Sequence, residues 1–176
     1  MAQIIIVNAQ IRQAKHADVA PLVNERCDVL LLGSMLSPKS AEARFYYAHP
    51  QNRFWRVLAA VLNCEPSDDN EKRAQLALSH GVALWDVISE CDIVGASDST
   101  IKNVKYNNID GLLKAYPRIT RVFTTGGKAH ELLLKYNKTV KNPIIAAATR
   151  LPSTSPLNCA ATLDALISAY SAITQK

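Results

Sequence analysis

Asp28-Val29-Leu30-Leu31-Leu32-Gly33 is the stretch on which the fold turns. An unbroken apolar run cannot alternate between a core face and a wet face. It therefore reads as a strand buried on both sides and closed by a glycine turn. Such a strand belongs to a parallel sheet covered by helices, and the pattern recurs. Residues 81–88 read as a second buried strand, 121–125 as a third ended by Gly126-Gly127, and 144–148 as a fourth. Between them, 53–62 has a helical pattern with Asn52 as its N-cap, and 71–80, 107–115, 128–136 and 160–173 suit further helices. Residues 3–7 suit a short strand or an arm, and 86–99 read as a polar loop after the second strand. Strands alternating with helices predict one α/β domain over 1–176, a three-layer α/β/α sandwich around a four-stranded, mostly parallel sheet. Ligands of open sheets bind at the carboxyl ends of the strands, which directs attention to loops 33–52, 86–99, 126–128 and 151–158.

Composition narrows the function classes. The chain has 176 residues, 48% hydrophobic and 20% charged, which is the make-up of a globular domain. Its net charge of +5 leans towards a polyanionic partner. The cysteines at 27, 64, 91 and 159 are too far apart for a metal or cluster site; Cys27 and Cys159 flank apolar runs and read as small core residues. No apolar run approaches the ~18 residues of a membrane span, and no leader is evident, so a soluble cytoplasmic protein is expected. Thr125-Gly126-Gly127-Lys128 fails as a phosphate loop, because Val122 and Ala129 stand where Gly and Ser or Thr are required. Free N–H groups at that helix start, with Lys128, could still hold one phosphate, or the segment is a plain strand-to-helix turn. His80 and His130 have no partner at metal spacing and read as surface or packing residues. No G-x-S-x-G elbow occurs, so nucleophilic catalysis through a serine such as Ser34 is not expected.

The most informative loop is Tyr46-Tyr47-Ala48-His49-Pro50-Gln51-Asn52-Arg53-Phe54-Trp55. Aromatics, an amide and an arginine share one segment at the sheet's carboxyl edge, the residue types that stack on and hydrogen-bond an unpaired base. Taken alone, Phe54 and Trp55 suit core packing better. Together with Gly33-Ser34-Met35-Leu36-Ser37-Pro38 and Leu151-Pro152-Ser153-Thr154-Ser155-Pro156, however, the segment resembles the uracil-DNA glycosylase superfamily. Its middle part looks like the mismatch-specific uracil/thymine glycosylases, and its first and last parts look more like hypoxanthine-DNA glycosylases. The resemblance spans about residues 24–172.

It implies a DNA base-excision glycosylase acting as a monomer on double-stranded DNA that contains a deaminated base, without metal or cofactor. Uracil-excising relatives carry Asp or Asn two places beyond the first glycine, where Met35 stands, and His or Asn at the position of Leu151. Those departures match the hypoxanthine branch, in which Asn52 is the natural residue to position water. Gly33, Ser34, Tyr47 and Asp86 would surround the base, with Tyr47 stacking and Asp86 accepting the N1–H of hypoxanthine. Asp86 could instead cap a turn. Lys128, Arg53, Ser153 and Ser155 would meet phosphates, and Leu157 would fill the vacated stack. No lysine is placed to form a Schiff base, so strand cleavage is not expected. A uracil or xanthine glycosylase, or a non-catalytic lesion-binding protein, are the competing expectations.

Overall fold

In the computed structural model, which describes residues 11–16, 19–95 and 97–175, the chain begins with β1 (Ile11–Lys15) and β2 (Val29–Gly33). Helices α1 (Pro38–Ala43), α2 (Phe54–Val61) and α3 (Asn70–Ser79) follow. Then come β3 (Val82–Asp86), β4 (Ile88–Val94), β5 (Lys102–Tyr106), α4 (Ile109–Ala115) and β6 (Arg121–Thr125). Helices α5 (Gly127–Val140) and α6 (Pro143–Ala146), strand β7 (Thr149–Leu151) and α7 (Leu163–Tyr170) complete the order. The segment 3–7, read as a strand or arm, lies outside the described residues.

The main sheet is four-stranded and parallel throughout, in the order β3-β2-β6-β7. β2 sits inside it with every residue buried, as its unbroken apolar run requires. Its side chains divide the core in two. Leu30 and Leu32 pack with Leu112 and Leu113 of α4 and Leu132 and Leu133 of α5. Val29 and Leu31 pack with Phe54, Val57 and Leu58 of α2, Ala77 of α3, and Leu166 and Tyr170 of α7. These are the three layers expected.

Two expectations fail for local reasons. Residues 86–99 are not simply a loop. Ile88, Cys91 and Ile93 are buried, and β4 pairs antiparallel with β1 and β5 in a second, three-stranded sheet. Register shifts at Ile88/Glu90 and Glu90/Asp92 blur the alternation that would have marked the strand. Residues 144–148 do not form the fourth strand either. Asn142 Oδ1 accepts the N–H of Ile144 (2.9 Å), Pro143 occupies the first turn, and the pair starts α6. The strand begins only at Thr149. Cys27 is buried as expected, but Cys159 is exposed, because the loop carrying it lies over the mouth of the site rather than in the core.

Candidate active site

The carboxyl ends of β2, β3 and β6 and the loops beyond them enclose a cavity of about 800 Å³. Gly33, Ser34, Tyr47, Asn52, Asp86, Ser153, Ser155 and Leu157 all line it, so eight of the ten residues singled out from the sequence converge on one place.

Gly33 lies opposite Asp86 in the β2–β3 register. A Cβ at position 33 would stand 2.2 Å from Asp86 Oδ1 and 3.2 Å from the Tyr47 hydroxyl, so only glycine lets these two side chains share the floor. Asp86 is buried, and its Oδ2 bonds His16 Nε2 at 2.8 Å. Tyr47 has φ +52, a left-handed backbone that a tyrosine adopts at some cost. What holds it there is on both sides of the ring system. Phe54 stacks on one face (centroids 3.8 Å apart, planes 13° apart), and the hydroxyl bonds Thr125 Oγ1 at 2.9 Å. The other face is left for the cavity. Burial and the neighbouring Asp86 push the Tyr47 hydroxyl well above its usual titration range, so it remains a neutral phenol.

Asn52 stands one residue ahead of the α2 N-cap, which is Arg53 and not Asn52 as the sequence suggested, because the helix starts only at Phe54. Its side chain does double duty. Its Oδ1 accepts the N–H of Phe54 (3.0 Å) and the hydroxyl of Thr154 (2.8 Å). A backbone N–H must meet an oxygen, which settles the orientation of the amide. The NH₂ end is thus the one without a protein partner among the described residues. Asn52 cannot both donate to and accept from a water, as its residue type alone allows; it can only donate.

Arg53 is the clear correction. Its guanidinium, expected on a phosphate, donates to the carbonyls of Ala161, Ser155 (3.1 Å) and Asn158 (2.8 Å). Through these three bonds it clamps the loop 151–158 against the start of α2. Its backbone N–H also donates to the Thr154 carbonyl (3.1 Å). Within that loop, the Ser153 and Ser155 hydroxyls accept the N–H groups of Ser155 and Leu157 (3.2 Å each). Their own protons remain free for an acceptor. Leu157 is 73% exposed at the rim. Leu151, by contrast, is buried and aims no polar atom at the cavity; its carbonyl takes the N–H of Gly126 (2.8 Å). Lys128 stands beside the cavity rather than in its wall, 3.3 Å from Glu131 on the same helix.

Three contributors were not singled out from the sequence. His16 reaches Asp86 across 70 positions. Thr154 reaches Asn52 across 102. Asp98 lines the cavity and takes the Ser34 hydroxyl on both oxygens at 3.0 Å. Burial raises the Asp98 carboxyl above its ordinary range, and Asp86 adds to the shift, while the Ser34 bond and Lys128 oppose it. Only the spacing of Ser153-Thr154-Ser155 hinted that this loop was rich in donors.

Comparisons with known proteins give the family and the fold. The family model described as the uracil DNA glycosylase superfamily matches residues 20–172. A hypoxanthine DNA glycosylase of Methanosarcina barkeri is 30% identical over 118 residues, 66% of this chain and 75% of that protein. One of Methanosarcina acetivorans is 30% identical over 111 residues, 62% and 70% of the two chains. The fold is shared with a candidate uracil DNA glycosylase of Methanosarcina acetivorans solved by solution NMR, at TM-score 0.72 and 23% identity over 89% of this chain and 97% of that one. The chain therefore belongs to the uracil DNA glycosylase superfamily, as a hydrolase that cleaves N-glycosidic bonds in DNA.

Proposed function

We propose that the base excised is hypoxanthine, by a monofunctional hydrolysis that leaves an abasic site. The observation that carries this reading is the Asp86 carboxylate on the cavity floor, beside the open face of Tyr47. Hypoxanthine bears a proton on N1 and adenine does not. An ionised carboxylate accepts the first and repels the lone pair of the second. The names of the two Methanosarcina relatives support the same choice. Buried Leu151 supports it too, since it gives no donor to the oxygen of a departing pyrimidine.

The nucleotide leaves the duplex, its base stacks on Tyr47, and Leu157 fills the vacated space. The C1′–N9 bond breaks with its electron pair moving onto the base, leaving an oxocarbenium-like sugar. A water held by the Asn52 NH₂ adds to C1′ through a lone pair, and its proton ends on the released base. Because a donating amide is no base, most of the rate comes from placement and electrostatics. The Ser153 and Ser155 hydroxyls and the start of α5 hold phosphates beside the lesion. No lysine lines the cavity among the described residues, in keeping with hydrolysis rather than Schiff-base chemistry.

Duplexes carrying single hypoxanthine, xanthine or uracil lesions, scored by alkali-revealed abasic sites, test the reading. Hypoxanthine should be released fastest. Preferential release of uracil would overturn the assignment, and tight lesion binding with no abasic product would favour a binding protein.

A further inference from the structure

His16 directly follows β1 and precedes the span that the family model matches, yet its ring ends against Asp86 on the cavity floor. Its side chain and that of Asp86 are 2% and 5% exposed, with Nε2 and Oδ2 2.8 Å apart. The two Asp86 oxygens therefore have different duties. Oδ2 faces His16, and Oδ1 presses on Gly33 at the cavity floor. The other nearby hydroxyls are committed elsewhere: Tyr46 donates to the Ala20 carbonyl (2.9 Å), Tyr47 pairs with Thr125, and Ser34 pairs with Asp98. Among the described residues, His16 is the only side chain shown bonding the Asp86 carboxyl.

A buried carboxylate needs such a partner. It also needs one to be selective. Without a donor behind it, an Asp side chain can rotate, or take up a proton and become a donor to adenine N1. An imidazole N–H at Oδ2 fixes the carboxyl plane and demands an acceptor there. We propose that His16 is the positioning residue for base selection: it holds Asp86 as an acceptor aimed at the N1–H of an extruded 6-oxopurine and so sets discrimination against adenine. The proposal rests on the hypoxanthine reading above and adds to it a residue from outside the family-matched span.

The test is a double-mutant cycle read by single-turnover excision of hypoxanthine and of adenine opposite cytosine. His16→Phe keeps a ring but removes the donor. It should slow hypoxanthine release by about 10- to 100-fold, the usual cost of losing a group that orients a ligand, and narrow the hypoxanthine-to-adenine ratio. His16→Gln places an amide N–H near the lost Nε2 and should restore most of both. In an Asp86→Asn background, His16→Phe should have no further effect. Equal losses in both backgrounds, or unchanged discrimination in folded His16→Phe, would overturn the proposal. If the wild-type protein releases another base instead, the hypoxanthine reading fails, and the same cycle run on that base still reads the coupling. A readout independent of turnover is the imidazole ¹⁵N spectrum of the wild-type protein. It should show His16 protonated at Nε2 and shifted by Asp86→Asn; an unprotonated Nε2 sinks the idea.

Discussion

At the scale of single residues, the site is built from side chains whose protein-facing bonds decide which end is left for DNA. Asn52 shows this best. Asn52→Asp keeps an oxygen for the Phe54 N–H and the Thr154 hydroxyl but replaces the free NH₂ with a second acceptor. It should leave thermal stability near normal while changing the rate and its pH dependence. Asn52→Ala should lose about 1 kcal/mol with its bonds to the Phe54 N–H and the Thr154 hydroxyl and slow single-turnover excision by about 100-fold while lesion binding persists. Full excision by the alanine variant would remove Asn52 from the mechanism. Tyr47→Ala should weaken capture of the flipped base by about 1–3 kcal/mol. Tyr47→Phe keeps the ring but drops the Thr125 bond, so it should cost stability while sparing binding; lesion-binding titrations of both variants separate the two effects. Asp98 makes a third case. Its carboxyl is raised in the folded state, chiefly by burial, so the native protein holds that proton more tightly than the unfolded chain. The stability linked to it is complete below the ordinary carboxylate range and is lost as pH rises through the raised value. Asp98→Asn should therefore be more stable than wild type at neutral pH and equal to it in acid, by urea unfolding. A loss at neutral pH would make the Ser34–Asp98 bond a structural asset instead.

At the scale of elements, α2 and the loop 151–158 act as one unit. Arg53 binds three carbonyls of the segment 155–161, and Asn52 and Thr154 join the same two pieces one residue away. Arg53 keeps its charge on those carbonyls but lies outside the cavity lining, so its removal should act first through loop order. Arg53→Met, which keeps an apolar stem but no donors, should raise amide exchange across 153–158 and lower excision more than it lowers the salt sensitivity of DNA binding. A reduced salt slope with an unchanged loop would return Arg53 to the phosphates. The loop was legible as a motif, but its fastening was not. Spacing reveals that Ser153, Thr154 and Ser155 are donors; only the approach of α2 reveals that Thr154 is turned inward and the serines outward.

At the scale of the whole molecule, the net charge of +5 matters through the face it is spread on. Binding through Lys128, the α5 start and the serine loop predicts that affinity for duplex DNA falls steeply as salt rises. A fluorescence titration at several salt concentrations checks this, and a flat response would contradict phosphate tracking.

The apolar run Val29–Gly33 could be only an interior parallel strand, because no other placement hides both its faces, and the alternation of strands and helices then implied the layers and the edge where the site lies. Pattern put Gly33 and Asp86 at the ends of neighbouring strands, and the family resemblance, rather than spacing, added Tyr47 and Asn52 and gave Asp86 its role. What the sequence could not decide were matters of long-range contact. The β4–β5 hairpin is masked by its bulges, and the start of Ile144–Ala148 went to a helix because an Asn-Pro cap outweighed an apolar run. Arg53 was drawn to carbonyls, His16 reached Asp86 from the end of β1, and Asp98 entered the cavity from a loop whose fold the sequence had not shown. A hydrogen bond between residues 70 positions apart leaves no mark on local spacing, so only the packed structure could choose those partners.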